Sequence, residues 1–215
     1  MAKPPKGLGE DRRDAMRAVY DKHTDEFEEH FAQHFSEHSQ GLLDGFVKLL
    51  PGGVSVLDLG SGPGHYAAYM RGQGCEVLCV DLSPEMVTKC EEQGLEAVVG
   101  DIENLDLGDR RFAGIWMHAS LLHVPRQYIP GVVASLCDYL EPGGVLGLTV
   151  WEGEGEGPRE QDAEKYGDQR WYTYFTDDDI RQLFGTHFVV GALQRSRIGA
   201  DKVMLSYYMT SRVHP

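Results

Sequence analysis

A chain of 215 residues with a hydrophobic share of 41% can fill one core, and its formal net charge of −14 repels phosphate backbones. No apolar stretch reaches the ~20 residues that span a bilayer, and Met1 to Asp14 contains no apolar h-region. The expectation is a cytoplasmic protein with neither a nucleic-acid nor a membrane partner. Cys75, Cys79, Cys90 and Cys137 form no C-x-x-C pair and read as reduced, buried thiols.

In chain order, residues 1 to about 9 read as a disordered arm, and Asp11 to Leu50 as one or two helices. Phe27, Phe31 and Phe35 share one helical face. His30, His34 and His38 recur at i, i+4 and i+8, a spacing at which two imidazoles can share a metal, but no H-E-x-x-H or further ligand joins them. They read as a polar boundary stripe, and no metal is assigned. After Pro51-Gly52-Gly53 the chain alternates, with strands near 54–59, 76–81, 96–99, 112–117 and 145–151 and helices near 65–72, 84–93 and 126–140. Ser83 is the N-cap of the second of these helices, Pro84 its first residue and Gly94 its stop. This alternation implies a parallel sheet covered on both faces. The acids and glycines of Glu152 to Pro158 read as a mobile loop or lid, Thr176 to Asp179 as a helix start, and Phe188–Leu193 and Val203–Thr210 as two final strands.

The most informative stretch is Val56-Leu57-Asp58-Leu59-Gly60-Ser61-Gly62-Pro63-Gly64-His65-Tyr66, an apolar run that breaks into glycines and then into a helical pattern. Such a strand-loop-helix lets backbone N–H groups meet an anionic or polar ligand closely. The dinucleotide fingerprint G-x-G-x-x-G is not met, because His65 stands where its third glycine belongs. The next apolar run, Val77 to Val80, ends in Asp81, about 20 residues after the loop. A third, Ala97-Val98-Val99-Gly100, ends in Asp101, and a fourth, Phe112 to Met117, ends at His118-Ala119-Ser120.

These ordered strand ends resemble motifs I, II and III of the class I S-adenosylmethionine-dependent methyltransferases over roughly Val54 to Trp151. The resemblance implies a three-layer α/β/α sandwich with a seven-stranded, mostly parallel sheet in the order 3-2-1-4-5-7-6, the last strand antiparallel. It implies one domain over 1–215, with a helical lid at 1–50, a cofactor core at 51–151 and an acceptor side at 152–215. S-adenosylmethionine would be the cofactor and S-adenosylhomocysteine the product. Gly60, Ser61, Gly62 and Gly64 would hold the methionyl moiety through backbone N–H groups, with Asp58 supporting the loop and the amino group. Asp81 would take the ribose hydroxyls, Leu82 and Met86 would pack on adenine, and Asp101 and the N–H of Ile102 would bind its edge. Tyr20-Asp21 with Thr24 and Phe27 resembles the Y-D-x-x-A-x-x-Y lid helix of small-molecule members, departing from it at Thr24 and Phe27.

His118 and His123 follow the fourth strand, where open α/β sheets bind ligands, and either can act as general base or as positioner. Positioning is the expected role, with His118 also beside the cofactor. Arg170-Trp171-Tyr172-Thr173-Tyr174-Phe175 resembles the R-W-Y-x-Y-[FY]-[ST] segment of small-molecule methyltransferases. Trp151, Trp171, Tyr172 and Tyr174 are therefore candidates for the acceptor pocket, with core packing the competing role. The leading expectation is an enzyme that methylates O, N or S of a small molecule. The alternatives are a methyltransferase for protein or tRNA and a non-methylating binder of the same cofactor. Monomer and homodimer are both open.

Overall fold

The computed structural model describes residues 10–35, 37–52, 54–167, 169–198 and 202–212. The expected arm at 1 to about 9 lies outside them. The N-terminal region holds three helices rather than one or two: α1 (Glu10–Lys22), α2 (Thr24–His34) and α3 (Glu37–Val47). The first break falls at His23, where the Thr24 hydroxyl donates to the carbonyls of Tyr20 and Asp21, at 2.8 and 2.9 Å. Tyr20 and Phe27, expected on one helix, therefore sit on two.

The core alternates as anticipated, through β1 (Ser55–Leu59), α4 (His65–Gly72), β2 (Glu76–Asp81), α5 (Pro84–Glu92), β3 (Glu96–Val99), β4 (Phe112–His118), α6 (Ile129–Tyr139) and β5 (Leu140–Trp151). Helix α5 starts where its sequence says, with the Ser83 hydroxyl accepting from the Met86 N–H at 3.1 Å, and the chain leaves it through Gly94 at φ +70°. Beyond β5 come β6 (Glu156–Pro158), α7 (Glu160–Tyr166), β7 (Trp171–Thr173), α8 (Asp177–Phe184), β8 (Phe188–Val190), β9 (Gln194–Ile198) and β10 (Lys202–Ser211). Thr176 and Asp179 close a reciprocal capping box at the start of α8.

The main sheet runs β3-β2-β1-β4-β5-β10-β8, which is the expected order with β10 as the antiparallel insert. One strand was not anticipated. β9 pairs with β10 and makes the sheet eight-stranded among the described residues. The Glu152–Pro158 segment, expected to be an unpaired loop, is also ordered: β6 pairs antiparallel with β7, and Glu152 bridges to Phe175. Its acids do not repel one another free in water because distant groups hold them. Arg195 pairs with Glu152 at 2.8 Å, and Glu156 accepts from the Arg126 N–H at 2.6 Å and the Thr173 hydroxyl at 3.1 Å.

Both faces of the sheet are buried, so the strands are apolar at successive positions. Val56, Val77, Cys79 and Trp116 face α3, α4 and α5, where Phe46, Met70 and Cys90 meet them. Leu57, Leu78, Val80, Ile115 and Met117 face α6 and α8, against Val132, Leu136 and Phe184. Fully burying one such side chain is worth about 1.5–3 kcal/mol. A smaller cluster of Val19, Phe27, Met86 and Tyr166 joins α1 and α2 to α5 and α7. That cluster roofs the carboxyl ends of β1, β2 and β4.

Candidate functional site

Under this roof lies a cavity of about 1320 Å³. One wall is the loop after β1. Gly60, at φ +78°, has no room for a side chain, since a Cβ there would lie 2.3 Å from the Ser120 Cβ. Ser120 is held in that position by its hydroxyl, which donates to the Leu59 carbonyl at 2.7 Å. The Gly60 and Ser61 amides donate to the Val80 carbonyl at 2.7 and 3.1 Å, and the Gly62 amide donates to Asp81 Oδ2 at 2.8 Å. These three N–H groups therefore have partners inside the protein, while Gly60, Ser61 and Gly62 all line the cavity. Of the four loop residues Gly64 alone does not line the cavity: it packs on Leu95 and Cys90, where a Cβ would come within 2.7 Å of Leu95 Cδ1.

Asp58 lies beneath the loop, 1% exposed, and does not line the cavity. Its Oδ2 has no hydrogen-bond partner, and burial, with the Asp81 carboxylate nearby, pushes its pKa up to about 8. Asp81 does line the cavity, its Oδ1 accepting from the Ser83 N–H at 3.0 Å; burial raises its pKa as well. Leu82 and Met86 line the cavity next to it, as do Asp101 and Ile102. Asp101 carries two further duties: it accepts from the Glu103 N–H at 2.9 Å and pairs with Arg13 at 3.0 Å.

The far end of this wall is a polar chain. His123 Nδ1 lies 2.8 Å from the Trp171 carbonyl, which can only accept, so Nδ1 carries the proton. Nε2 is then the acceptor for the Tyr20 hydroxyl at 3.0 Å, and that hydroxyl receives Arg170 Nη1 at 3.2 Å. Burial, followed by the Arg170 charge, lowers the His123 pKa to about 3. Neutral, and with both nitrogens engaged, His123 fixes Tyr20 and hence α1. Arg12 reinforces the junction, donating to the His123 carbonyl at 2.9 Å and pairing with Glu103. His118 lines the cavity with Nδ1 3.0 Å from the Thr149 hydroxyl and its ring 4.4 Å from that of Tyr66. Between the two histidines, Ala119 adopts φ +54°, a conformation costly for a residue with a Cβ and held by two bonds from its amide to Thr149.

The opposite wall comes from residues 151–204, and of the four aromatic candidates it uses Trp151 and Tyr172. Trp171 and Tyr174 do not line the cavity. Trp171 points to the other face of β7, donating its indole N–H to Thr173 Oγ1 at 3.2 Å, and Tyr174 packs at the edge of the main core. Alternation along β7 separates Trp171 from Tyr172 in this way, whereas Tyr174 lies beyond the end of the strand. Arg170, quoted in the aromatic segment without a role of its own, is the centre of this wall. Its guanidinium lies 5.0–5.5 Å from the ring centroids of Tyr20, Phe27, Tyr166 and Tyr172 and pairs with the buried Asp162 at 2.7 Å. Nothing local in the sequence marks Asp162 as its partner.

Among the described residues no three His, Cys, Asp or Glu side chains gather as a metal site. His30 borders the cavity, and the side chains of His34 and His38 lie outside the described residues. The thiols of Cys75, Cys79 and Cys90 are free and buried, as expected. No helix among the described residues is long and apolar enough to cross a membrane.

Residues 56–144 match the family described as "Methyltransferase domain". A malonyl-[acyl-carrier protein] O-methyltransferase of Enterobacter lignolyticus is 35% identical over 97 residues, 44% of this chain and 38% of that protein. A tRNA (carboxymethyluridine(34)-5-O)-methyltransferase of Arabidopsis thaliana is 29% identical over 115 residues, 52% of this chain and 27% of that protein. The chain thus spans well under half the length of these curated relatives. Over nearly its whole length it superimposes on the Burkholderia thailandensis 1,6-didemethyltoxoflavin-N1-methyltransferase, solved with bound 1,6-didemethyltoxoflavin and S-adenosylhomocysteine. The TM-score is 0.78, with 23% identity and coverage of 98% of this chain and 93% of that one. With the loop, the two strand-end acids and the sheet order already in place, residues 56–144 are similar to a methyltransferase domain, and the fold is that of the class I, Rossmann-like S-adenosylmethionine-dependent methyltransferases.

Proposed function

We propose that this chain transfers a methyl group from S-adenosylmethionine to a small-molecule acceptor. The observation that carries the reading is the charge of the cofactor-side wall. Between Leu59 and His123, the described cavity lining contributes Asp81, Asp101 and Glu103 and neither Lys nor Arg; Arg13 and Arg12, outside that lining, answer Asp101 and Glu103, and Asp81 has no ion partner among the described residues. A sulfonium cation with vicinal ribose hydroxyls and a flat, apolar base suits that wall: carboxylates for the hydroxyls and the charge, Leu82, Met86 and Ile102 for the ring. Asp58 beneath the loop, largely protonated and with Oδ2 unpartnered, fits a cationic neighbour that would favour its ionised form. When bound, the cofactor supplies an activated methyl group with a good leaving group. The protein's part is alignment, to which oriented intramolecular reactions assign up to ~7–11 kcal/mol.

The histidines act within that frame as positioners. His123 cannot take a proton near neutrality while Nδ1 is protonated, Nε2 is engaged and its pKa is near 3. The Tyr20–His123–Trp171 chain instead ties the α1 roof to the β7 arm, so that the acceptor and cofactor walls share one support. Acceptance by an oxygen, nitrogen or sulfur that is already a nucleophile requires no base.

Calorimetry with S-adenosylhomocysteine and NAD tests the reading; micromolar binding of the first and none of the second is expected. Asp81→Ala should weaken cofactor binding by about 1–3 kcal/mol in a folded protein. Tight NAD binding with silence toward S-adenosylhomocysteine would overturn the assignment. A metabolite screen scored for a gain of about 14 Da, the exchange of H for CH₃, then identifies the acceptor.

A further inference from the structure

The acceptor-side wall has the opposite electrostatic character. Trp151, Arg159, Arg170, Tyr172, Ser196 and Lys202 converge on the cavity from β5, β7, β9, β10 and the segment before α7. Arg159 and Arg170 place their guanidinium carbons 5.4 and 5.5 Å from the centroid of the same ring, Tyr172. Lys202 Nζ sits 5.1 Å over Trp151. Arg170 is answered by Asp162. The Arg159 guanidinium donates to the neutral Gln161 side chain at 3.0 Å, and no carboxylate among the described residues pairs with Arg159 or Lys202. Burial and the charges of Arg159 and Arg170 disfavour the protonated form of Lys202. Two cations without counter-ions among the described residues, crowded over aromatic faces at the edge of a cavity in a chain of net charge −14, form an incomplete site. An anion inserted between them would supply the missing charge and accept directional hydrogen bonds from both.

We propose that the methyl acceptor carries an anionic group, a carboxylate or a phosphate, that seats between Arg159 and Lys202 beside Tyr172 and Trp151. The proposal rests on the methyltransferase reading and adds the chemical class of the acceptor. Ser196, which shares the cavity-facing side of the β9–β10 pair through its partner Met204, offers a hydroxyl to the same group. The aromatic faces take the remainder of a compact acceptor. A wall of this charge also repels the cationic cofactor, which keeps the two ligands in their own halves of one cavity.

The test uses the full chain saturated with S-adenosylhomocysteine, titrated with phenylacetate, phenyl phosphate and the neutral phenylacetamide, and followed by calorimetry and tryptophan fluorescence. At least one anion should bind about tenfold or more tightly than the amide, with affinity falling as salt rises. Preference for phenylacetate assigns a carboxylate, and preference for phenyl phosphate assigns a phosphate. Lys202→Met and Arg159→Met should each weaken the anion about tenfold without changing the affinity for S-adenosylhomocysteine, and Lys202→Arg should retain most of the binding. Arg110→Gln, the same charge change in the loop before β4, where Arg110 pairs with Glu96 of the edge strand β3, should alter nothing. An amide that binds as well as both anions, or anion affinity intact in both Met variants, overturns the proposal. The S-adenosylhomocysteine step is read first, so its failure counts against the methyltransferase reading, whereas loss of anion preference in the saturated protein counts against the acceptor class alone.

Discussion

The two walls of the cavity are built by different means. The cofactor-side wall is made of strand ends and the turns that follow them, with glycines fixed by close backbone contacts and acids fixed by backbone amides. The acceptor-side wall is made of a two-stranded arm, a short helix and a hairpin, held by side chains that reach across the fold. The first is specified within about sixty residues of sequence; the second depends on pairs such as Glu152 with Arg195 and Glu156 with the Arg126 amide, which lie far apart in the chain. A regular scaffold places the part common to a family, and an irregular one carries what differs between members.

The largest expected effect tests the irregular wall. Arg170→Met would leave Asp162, whose side chain is 6% exposed, buried without its ion partner, and should cost about 3–5 kcal/mol in urea unfolding. Adding Asp162→Leu should return most of that loss. A single variant that loses less than about 1 kcal/mol would mean that the cage of rings, not the charge pair, holds this wall.

A paired glycine experiment sharpens the contrast. Gly60→Ala meets Ser120 at 2.3 Å and a left-handed backbone, and should cost about 2–4 kcal/mol together with cofactor binding. Gly155→Ala in the acceptor arm also faces a positive φ of +83°, but nothing lies within 4 Å of its Cβ, so about 1 kcal/mol is expected and cofactor affinity should not change. Equal costs at the two sites would remove the distinction between a crowded and an open wall.

The smallest effect is a pH dependence at the junction. His123 stays neutral in the fold down to about pH 3, whereas in the unfolded chain it takes a proton near 6.5, so its contribution to stability is lost as pH falls through that window. Asp58 behaves oppositely: protonated in the fold up to about pH 8 and ionised from 3.8 upward when unfolded, it lowers stability as pH rises between those values. In Tm measured against pH, His123→Gln should narrow its deficit relative to the parent as pH drops from neutral toward 4, and Asp58→Asn should narrow its own as pH rises toward 8. A deficit independent of pH in His123→Gln would mean that the imidazole titrates normally.

The sequence was most legible where periodicity and turn chemistry are local. The strands at 76–81 and 96–99 and the helix at 65–72 fall where their patterns put them, and Ser83 and Thr176 cap as their neighbours predict. The residues that line the cavity at Gly60, Asp81 and Asp101 were likewise readable from strand ends. What could not be read was which loop amides are already spent, because Val80 and Asp81 claim them from another strand. The face of Trp171 was also hidden, since a three-residue strand gives too short a run to fix alternation, and Tyr174 lies past the end of that strand. Strand β6 lies in a run of glycines and acids that reads as loop until the partners that neutralise them are known, and β9 has no apolar alternation to mark it. Arg159 and Lys202 were invisible as a pair for the same reason: their proximity is made by the segment before α7 and by β10, not by spacing.

The position of β10 has a consequence for how the chain reaches this state. It pairs with β5 over seven residues, and β8 and β9 have no strand neighbour other than β10 among the described residues. As the polypeptide emerges from the ribosome, β5 therefore presents an open, apolar edge for the time it takes to make some fifty residues more, and β8 and β9 are complete before there is anything for them to join. Arrival of residues 202–211 converts three waiting segments into one sheet at once. Closure of the acceptor half is thus a late, cooperative event, and the interval before it is when the nascent chain is most exposed to strand-swapped pairing with a neighbour.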